Sequence, residues 1–506
     1  MNSFKLAVTW FAFGAVIGVA LMMQPIIAPI LPKDPGDRLV YVFKRSLAFA
    51  GGSASAIELS ETRDGLVIEN LSFAKDLDGR EIGFSVDRIH LEKVDTERVV
   101  DLYLGRTPET EVDYTDTGVF ADVLSLEGID LRTGQDFVNI KSVRLTEVGT
   151  DNYRSWLDPE TFGDGGYASV LAFLVLTGTA QSVTADEVFF RNESTVPISA
   201  TIDVLDAKDV SAGQVGRMTV ENVVAQWRIG NGVTMESATI KTFNAREIVS
   251  AAAGQDNDLD APEALIFDIA EFSEFSVHTP DIEIVRIPSG TVATYTQLGQ
   301  IPVSARLELQ DLSLDVDAIE SESARAYLRD AGIGEISVDA SLAYIFDRNS
   351  GLLTIKDGAI TAPDLARVDI DAEFSGIRPS WDAISDFISG LQQSQIVGAQ
   401  ARFEDRSIVA RFSEKWARDT NKQPEDFIHL FTTPENDGVK AGRVEAAASV
   451  LKDFLSTEEA LTINVAPDEP VPVEFLLSRT SPQVFLETLA VDLAIEVTAS
   501  GQILPD

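Results

Sequence analysis

The chain lacks cysteine altogether and holds only three histidines among its 506 residues. Without cysteine it has no disulfide framework, no thiolate-bound zinc or iron–sulfur cluster and no thiol nucleophile. His90, His278 and His429 are far apart in sequence and form no H-x-x-x-H motif, which favours structural or surface roles for them. The sequence therefore predicts no metal site, no cofactor and no catalytic residues.

Basic residues are also scarce, because 40 Lys and Arg stand against 81 Asp and Glu and give a formal net charge of −41. Phosphate backbones are bound by Lys and Arg, so this balance argues against a nucleic-acid partner. The acidic residues are spread along the chain, which is typical of a surface kept soluble by charge repulsion. Apolar residues make up 45% of the chain, enough for globular cores.

Sequence motifs of common enzymes are missing too. The chain has no G-x-S-x-G, no P-loop and no dinucleotide fingerprint. Residues 256–260 begin like a calcium loop, but Ala261 replaces the turn glycine and Phe267 replaces the final glutamate. No carboxylate pair stands out among the acids, which leaves a glycan hydrolase as an alternative to the predicted non-enzymatic protein.

The longest apolar run is Leu6–Met23, which carries no charge and continues with little interruption to Leu31. A helix of this length spans about 27 Å, close to the thickness of a bilayer core. The run exceeds a typical signal-peptide core and lacks a convincing A-x-A site, which favours an uncleaved anchor over a cleaved signal peptide. The predicted membrane-embedded residues are Leu6, Trp10, Phe11, Phe13, Val16, Ile17, Leu21 and Met23.

The orientation of this anchor has two opposing indications. Lys5 alone precedes the apolar run, so the positive-inside count opposes an exported body. The positive residues that follow the run are Lys33, Arg38, Lys44 and Arg45. A five-residue tail followed at once by an apolar run resembles a signal sequence. We therefore predict a single-pass protein of the inner (cytoplasmic) membrane with its body on the periplasmic side.

A second apolar run, Tyr167–Leu176, is too short to span a bilayer. We predict a buried helix there, and the alternative is a helix that rests on a membrane or covers a lipid. Residues 36–50 predict a short helix after the anchor, and β patterns dominate from residue 57 onward. Asp-Gly and Gly-Asn-Gly turns separate several of these runs, as in β-hairpins.

An apolar and polar pattern recurs along the chain, in the order apolar, polar, apolar, polar, polar, apolar, polar, apolar. It fits residues 84–91, 124–131, 138–145, 233–240 and 307–314, and with one slip residues 66–73 and 218–225. Neighbouring copies start at hairpin spacing. Two adjacent polar residues would invert the alternation unless a bulge returned both apolar pairs to one face. The pattern thus predicts curved antiparallel hairpins that form an elongated trough.

The meander at residues 335–376 predicts three further antiparallel strands with one apolar face. Beyond it the pattern becomes α+β. We predict helices at 380–392, 407–418, 438–455 and near Pro424, and strands at 461–465 and 491–498. The predicted fold class is mainly β with an α+β C-terminal part. Its parts are an anchor (1–35), a β-hairpin domain (36–160), a β-meander domain with a short buried helix (161–376) and the α+β domain (377–506).

One membrane helix followed by repeated Leu-x-Ile/Leu-x-x-Leu-x-Leu hairpins resembles the AsmA/TamB group of bacterial envelope proteins. The resemblance covers residues 1–145 and 217–376, and the segment 377–506 departs from it and is similar to uncharacterised signal-anchored proteins of alphaproteobacteria. It implies an apolar-lined trough and phospholipid as the partner, and no functional residue carries over. The expectation is an envelope protein that binds lipid or organises the outer membrane. The alternative is a scaffold that holds an envelope protein partner and no lipid.

Overall fold

The computed structural model describes residues 34–96, 118–150, 178–244, 267–377, 393–428, 460–473 and 496–500, with short gaps inside these ranges, and the isolated residues Pro32, Gly390 and Phe454. About 68% of the described residues lie in β-strands, and the sheet is antiparallel. The predicted mainly antiparallel β fold is therefore confirmed. The predicted anchor lies outside the described residues. No helix in the described part of the chain has the length and apolar character needed to cross a membrane.

The helices are α1 (Pro35–Ala50), α2 (Glu322–Asp330) and α3 (Ile408–Thr420), with short 3-10 turns at Val316–Ala318 and Pro424–Ile428. The first strands are β1 (Ala56–Leu59), β2 (Leu66–Leu77), β3 (Arg80–Val94), β4 (Gly118–Thr133), β5 (Asp136–Thr150), β6 (Gly178–Asn192), β7 (Ile198–Ser211), β8 (Gln214–Trp227), β9 (Asn231–Asn244) and β10 (Ile269–His278). The remaining strands are β11 (Glu283–Leu298), β12 (Ile301–Asp315), β13 (Glu335–Asp347), β14 (Leu352–Ala362), β15 (Ala366–Ser375), β16 (Gln395–Asp405), β17 (Ala460–Val465), β18 (Val471–Pro472) and β19 (Glu496–Ser500).

The chain divides into two compact units, and the division falls within β10. The first unit comprises residues 1–261 and 266–272, and the second comprises residues 262–265 and 273–506. In the first unit, β1 to β9 follow one another in chain order, each antiparallel to the next. In the second unit, β11 to β16 do the same, and β17 then pairs with both β16 and β19.

The core of the first unit lies on one face of its sheet. The side chains that are at most 1% exposed include Leu66, Val86, Ile89, Leu124, Leu126, Ile129, Ile140 and Leu145. Helix α1 covers part of this face, because Leu39 and Leu47 belong to the same buried cluster. The predicted helix at 36–50 is thus confirmed, and its apolar side contributes to this core by the hydrophobic effect.

The predicted repeat is confirmed strand by strand. Every segment that fits the pattern lies in a strand, and the three predicted hairpins form, with Phe73 opposite Phe84, Leu131 opposite Val138 and Ala225 opposite Val233. In β4 both apolar pairs are buried on the same face, namely Leu124 and Leu126, then Ile129 and Leu131. The two intervening polar residues therefore do not invert the face.

In β2, β4, β8 and β12 the local cause is a left-handed residue at the second of the two polar positions, whereas in β3, β5 and β9 the left-handed residue lies five positions further along the strand. Among the described strand residues, positive φ angles occur at Asn70, Lys93, Gly128, Glu147, Glu187, Asp209, Asn222, Thr242, Glu274, Asp311 and Asp357. Each follows a polar residue and precedes an apolar residue or glycine. Left-handed backbone is uncommon for residues other than glycine, and here it re-aims the chain as in a β-bulge.

These left-handed residues form two rows across the first unit, in alternate strands. One row contains Asn70, Gly128, Glu187 and Asn222, on β2, β4, β6 and β8, and the other contains Lys93, Glu147, Asp209 and Thr242, on β3, β5, β7 and β9. Their side chains pair with the neighbouring strand: Lys93 Nζ lies 2.8 Å from Asp122 Oδ2, Asn222 donates to Asp203, and Lys141 pairs with Glu187. Each strand in the middle of this unit also carries a residue that faces the other row, six residues from its own left-handed residue. In β4 the left-handed residue is Gly128, and Asp122 faces the other row.

In the C-terminal part, α3 confirms the helix predicted at 407–418, the 3-10 turn at Pro424 lies where a short helix was predicted, and β17 confirms the strand at 461–465. The predicted strand at 491–498 is described only from residue 496, within β19. The predicted helices at 380–392 and 438–455 lie outside the described residues except for Gly390 and Phe454. Helix α2 was not predicted. Its sequence signal is Ser321, whose hydroxyl accepts a hydrogen bond from the Ala324 N–H at 3.3 Å as an N-cap.

Candidate functional site

The most distinctive surface of the second unit is the apolar side of strands β12 to β16. Residues that lie directly opposite in neighbouring strands share a face. The register aligns Leu309, Ala340, Ile360, Val368 and Phe403 in one row across the five strands. We call the surface formed by Leu307, Leu309, Ala340, Leu342, Ile360, Val368, Ile370 and Phe403 the β12–β16 face.

The β12–β16 face differs from the first unit in its burial. None of its side chains falls in the buried class, and Ile360 is 47% exposed. The equivalent face of the first unit contains many aliphatic residues with no exposed surface, such as Leu66 and Leu145. Contiguous apolar surface that stays accessible is typical of sites that bind lipids, other apolar ligands or protein partners.

A small apolar cluster closes each end of the β12–β16 face. At one end Val303, Phe346, Leu353 and Ile377 are buried, and the rings of Tyr344 and Phe374 pack against them. Burial raises the pKa of the Tyr344 hydroxyl to about 12. At the other end Val316, Ala331 and Ile333 form a second buried cluster, against which Phe412 of α3 packs. The half-exposed strip thus runs along the strands between two packed ends.

Helices α2 and α3 hold each other at the second of these ends. The Phe412 ring lies 5.5 Å from the Tyr327 ring, and Lys415 Nζ lies over Tyr327 at 4.6 Å. The Lys415 side chain is only 6% exposed, with Nζ 2.7 Å from Asp419 Oδ2 and 3.4 Å from Asp330 Oδ2. The hydrogen bond to Asp419 is the main reason that the pKa of Lys415 is raised, with Asp330 adding to it.

Two arginines of α3 complete the contact between the helices. Arg411 donates to the carbonyl oxygen of Gly332 at 2.9 Å, and Arg418 donates to that of Asp330 at 2.8 Å. Both carbonyls lie at the C-terminal end of α2, where a positive charge is favourable. These basic residues therefore stabilise the C-terminal end of α2 and its contact with α3.

The shape of the face depends on a close approach of β14 to β15. A Cβ atom on Gly358 would lie 2.7 Å from the carbonyl oxygen of Ile370, so only glycine fits at this position. The preceding residue, Asp357, is left-handed, and its N–H donates to Asp371 Oδ1 at 3.0 Å. In the same way the Asp311 N–H donates to Asp339 Oδ1 at 2.9 Å. The bulges keep Ile355 and Ile360 on one face of β14.

Phe454, from the C-terminal part of the chain, touches this surface. Phe454 is 3% exposed, and its ring meets that of Phe403 edge to face at 5.8 Å. Phe403 lies on β16, so this contact covers the β16 side of the face. The contact leaves Ile360, two strands away, at 47% exposure.

Of the residues considered from the sequence as candidate ligands, His90 and His278 lie in the described part of the chain, on different strands. His90 lies in β3, with Nδ1 3.5 Å from Glu92 Oε1, and His278 ends β10. His429, residues 256–260 and the anchor residues lie outside the described residues. Within the described ranges, no group of three or more His, Asp or Glu side chains is placed to hold a metal ion.

Part of the chain matches a protein-family model. Residues 359–500 match the model of a family described as an uncharacterized protein. The matched segment begins in β14 and ends in β19, so it includes part of the β12–β16 face and helix α3. No curated protein matches the chain, and no solved structure does.

Proposed function

We propose that the protein is a non-enzymatic envelope protein that binds phospholipid acyl chains on the β12–β16 face. A single N-terminal transmembrane helix anchors it in the inner membrane, with its β-rich body and α+β C-terminal part in the periplasm. The observation that supports ligand binding is the half-exposed row of aliphatic side chains centred on Ile360. On the matching side of β2 to β5 in the first unit, which have the same strand pattern, side chains such as Leu66, Leu124 and Leu145 are buried.

The chemistry of the face favours an acyl chain over a polar ligand. Its members are all apolar, and hydrophobic burial needs no directional contact. From Val338 to Tyr344 the strip spans seven residues of β13, or roughly 20 Å at the rise of a β-strand. An elongated apolar strip of this length matches a linear hydrocarbon chain, whose polar head would stay in solvent. Each square ångström of apolar surface that the acyl chain covers contributes about 25 cal/mol to the free energy of binding.

Two exposed isoleucines provide a matched test. Ile360 lies on the β12–β16 face, whereas Ile345 lies on the opposite side of β13 and is 56% exposed. We expect Ile360→Glu to reduce several-fold the phospholipid that co-purifies with the full chain, measured by extraction and mass spectrometry, and Ile345→Glu to leave it unchanged. Lipid bound around the anchor is the same in both variants, so a difference in co-purified phospholipid measures binding to the β12–β16 face. Equal lipid in the two variants would contradict acyl-chain binding here.

A second candidate function is a protein-interaction scaffold without a lipid ligand. The contact of Phe454 with Phe403 favours it, because a protein side chain packs on this apolar side. On this hypothesis the Ile360→Glu variant retains as much lipid as wild type. Crosslinking in cells then recovers one stoichiometric protein partner.

A further inference from the structure

The connection between the predicted anchor and the body is short and held by hydrogen bonds. The apolar run ends at Leu31 and α1 begins at Pro35, a distance of at most roughly 14 Å even when extended. The Arg38 side chain donates to the carbonyl oxygen of Pro32 at 2.6 Å. The backbone N–H of Arg38 donates to the carbonyl oxygen of Asp34 at 3.0 Å. The chain is thus fixed to the body almost as soon as the apolar run ends.

The start of α1 is tied to one particular end of the first unit. Arg63, in the turn between β1 and β2, lies 3.2 Å from Asp34 Oδ1 and 3.4 Å from Asp37 Oδ1. Leu39 and Leu47 hold the rest of the helix in the core of the same unit. We call the sheet end that carries the β1–β2 turn the anchor end of the first unit.

The long connections between strands of the first unit all fall at the anchor end. Antiparallel strands alternate in direction, so every second connection falls at the anchor end. The connections there include residues 95–117, 151–177 and 245–268, whereas the opposite end has only those at 78–79, 134–135, 193–197 and 228–230. The sequence of residues 151–177 contains Tyr167–Leu176, the second apolar run of the chain. The residues that flank this segment, Thr150 and Gly178, lie opposite each other at the anchor end.

We infer that the anchor end of the first unit docks against the surface of the bilayer that holds the anchor, with its strands projecting away from the membrane. This inference rests on the proposed function, because it needs the membrane anchor. The partner is a lipid surface, and the short segment between the anchor and α1 holds the body against it. Glu61, Asp64 and Asp95 are exposed at this end, so attraction to anionic lipid does not drive the docking.

Strand β8 offers a matched pair of reporter positions. Gln214 and Gln226 are both exposed, and they lie at opposite ends of this strand, roughly 40 Å apart. Gln214 is at the anchor end. The chain has no cysteine, so Gln214→Cys and Gln226→Cys each accept a single dye without further changes.

The test measures energy transfer from each dye to an acceptor lipid in zwitterionic phosphatidylcholine vesicles that carry the full chain. We expect several-fold more efficient transfer from position 214 than from position 226. Equal transfer, or more from position 226, would overturn the docking. Alkaline carbonate extraction separates this result from failure of the proposed anchor: a chain released by carbonate has no anchor and refutes both proposals. A retained chain with equal transfer refutes the docking alone.

Discussion

The N–H of Asp357 in β14 donates a hydrogen bond to the carboxylate of Asp371 in β15, with 3.0 Å between nitrogen and oxygen. Asp311 and Asp339 repeat the arrangement at 2.9 Å. A left-handed residue turns its N–H out of the regular ladder, and an unpaired backbone donor is unfavourable. Acidic residues on the neighbouring strand supply the acceptor, so they serve the backbone as well as the solubility of the chain.

Asp357 itself is predicted to tolerate glycine and to reject a β-branched residue. Glycine adopts left-handed backbone without strain, so Asp357→Gly should leave the thermal midpoint of unfolding unchanged or raise it. Asp357→Val should destabilise the protein by about 1–2 kcal/mol, because its Cβ branches clash in this conformation. Thermal unfolding of the full chain followed by tryptophan fluorescence measures both. Similar midpoints for the two variants would count against a left-handed residue here.

Gly358 is predicted to be intolerant of any side chain. Gly358→Ala places a Cβ atom 2.7 Å from the Ile370 carbonyl oxygen, so β14 and β15 must separate and the midpoint should fall. Gly334→Ala is the control, because no atom lies within 4 Å of the Cβ position there. The control should be neutral or slightly stabilising. An unchanged midpoint for Gly358→Ala would show that the two strands do not approach this closely.

Lys415 is predicted to make stability fall in alkali. Its pKa is raised in the folded protein by the hydrogen bond to Asp419, so the protonated form is bound more tightly in the folded than in the unfolded state. This contribution is complete below the unfolded pKa of about 10.4 and is lost as the pH rises through the folded value. Unfolding midpoints from pH 8 upward should fall more steeply for wild type than for Lys415→Met. If the midpoints of wild type and Lys415→Met fell in parallel as the pH rises, the loss of stability in alkali would come from other groups.

Arg63 is predicted to orient the body and to add little to its stability. Its ion pairs with Asp34 and Asp37 are exposed, and such pairs contribute little in water. Arg63→Gln should therefore leave the unfolding midpoint nearly unchanged. It should also bring the energy transfer from dyes at positions 214 and 226 closer together, because α1 is less firmly held. Arg217→Gln, on β8, is the control and should preserve the difference.

The repeated strands could be predicted from sequence because their pattern is local. The pattern of two polar residues between apolar pairs, as at Glu69-Asn70, predicted both the hairpins and the return of the apolar pairs to one face. The choice of left-handed residue could not be predicted in the same way. In β3 the corresponding pair is Asp87-Arg88, and neither residue has a positive φ angle. The choice depends on the neighbouring strand, whose sequence carries the same pattern.

The candidate site shows the same limit. The alternating residues of β13 predicted an apolar face, but a pattern does not reveal what packs on it. In the first unit α1 covers part of such a face, and in the second unit Ile360 stays half-exposed. Helix α2 was missed because it is short and polar. Contacts from α3, such as Lys415 with Asp330, hold it in place, and these contacts join residues 85 positions apart.

The alternation of left-handed residues limits how the number of strands can change between related chains. Each strand from β3 to β8 offers one left-handed position and, six residues away, one position that faces the left-handed residue of a neighbour. Removal of one strand would bring two left-handed positions side by side and reverse the direction of every later strand. Removal or insertion of a complete hairpin preserves both. The unit of length change in this sheet is therefore the hairpin, and relatives of different size should differ by even numbers of strands.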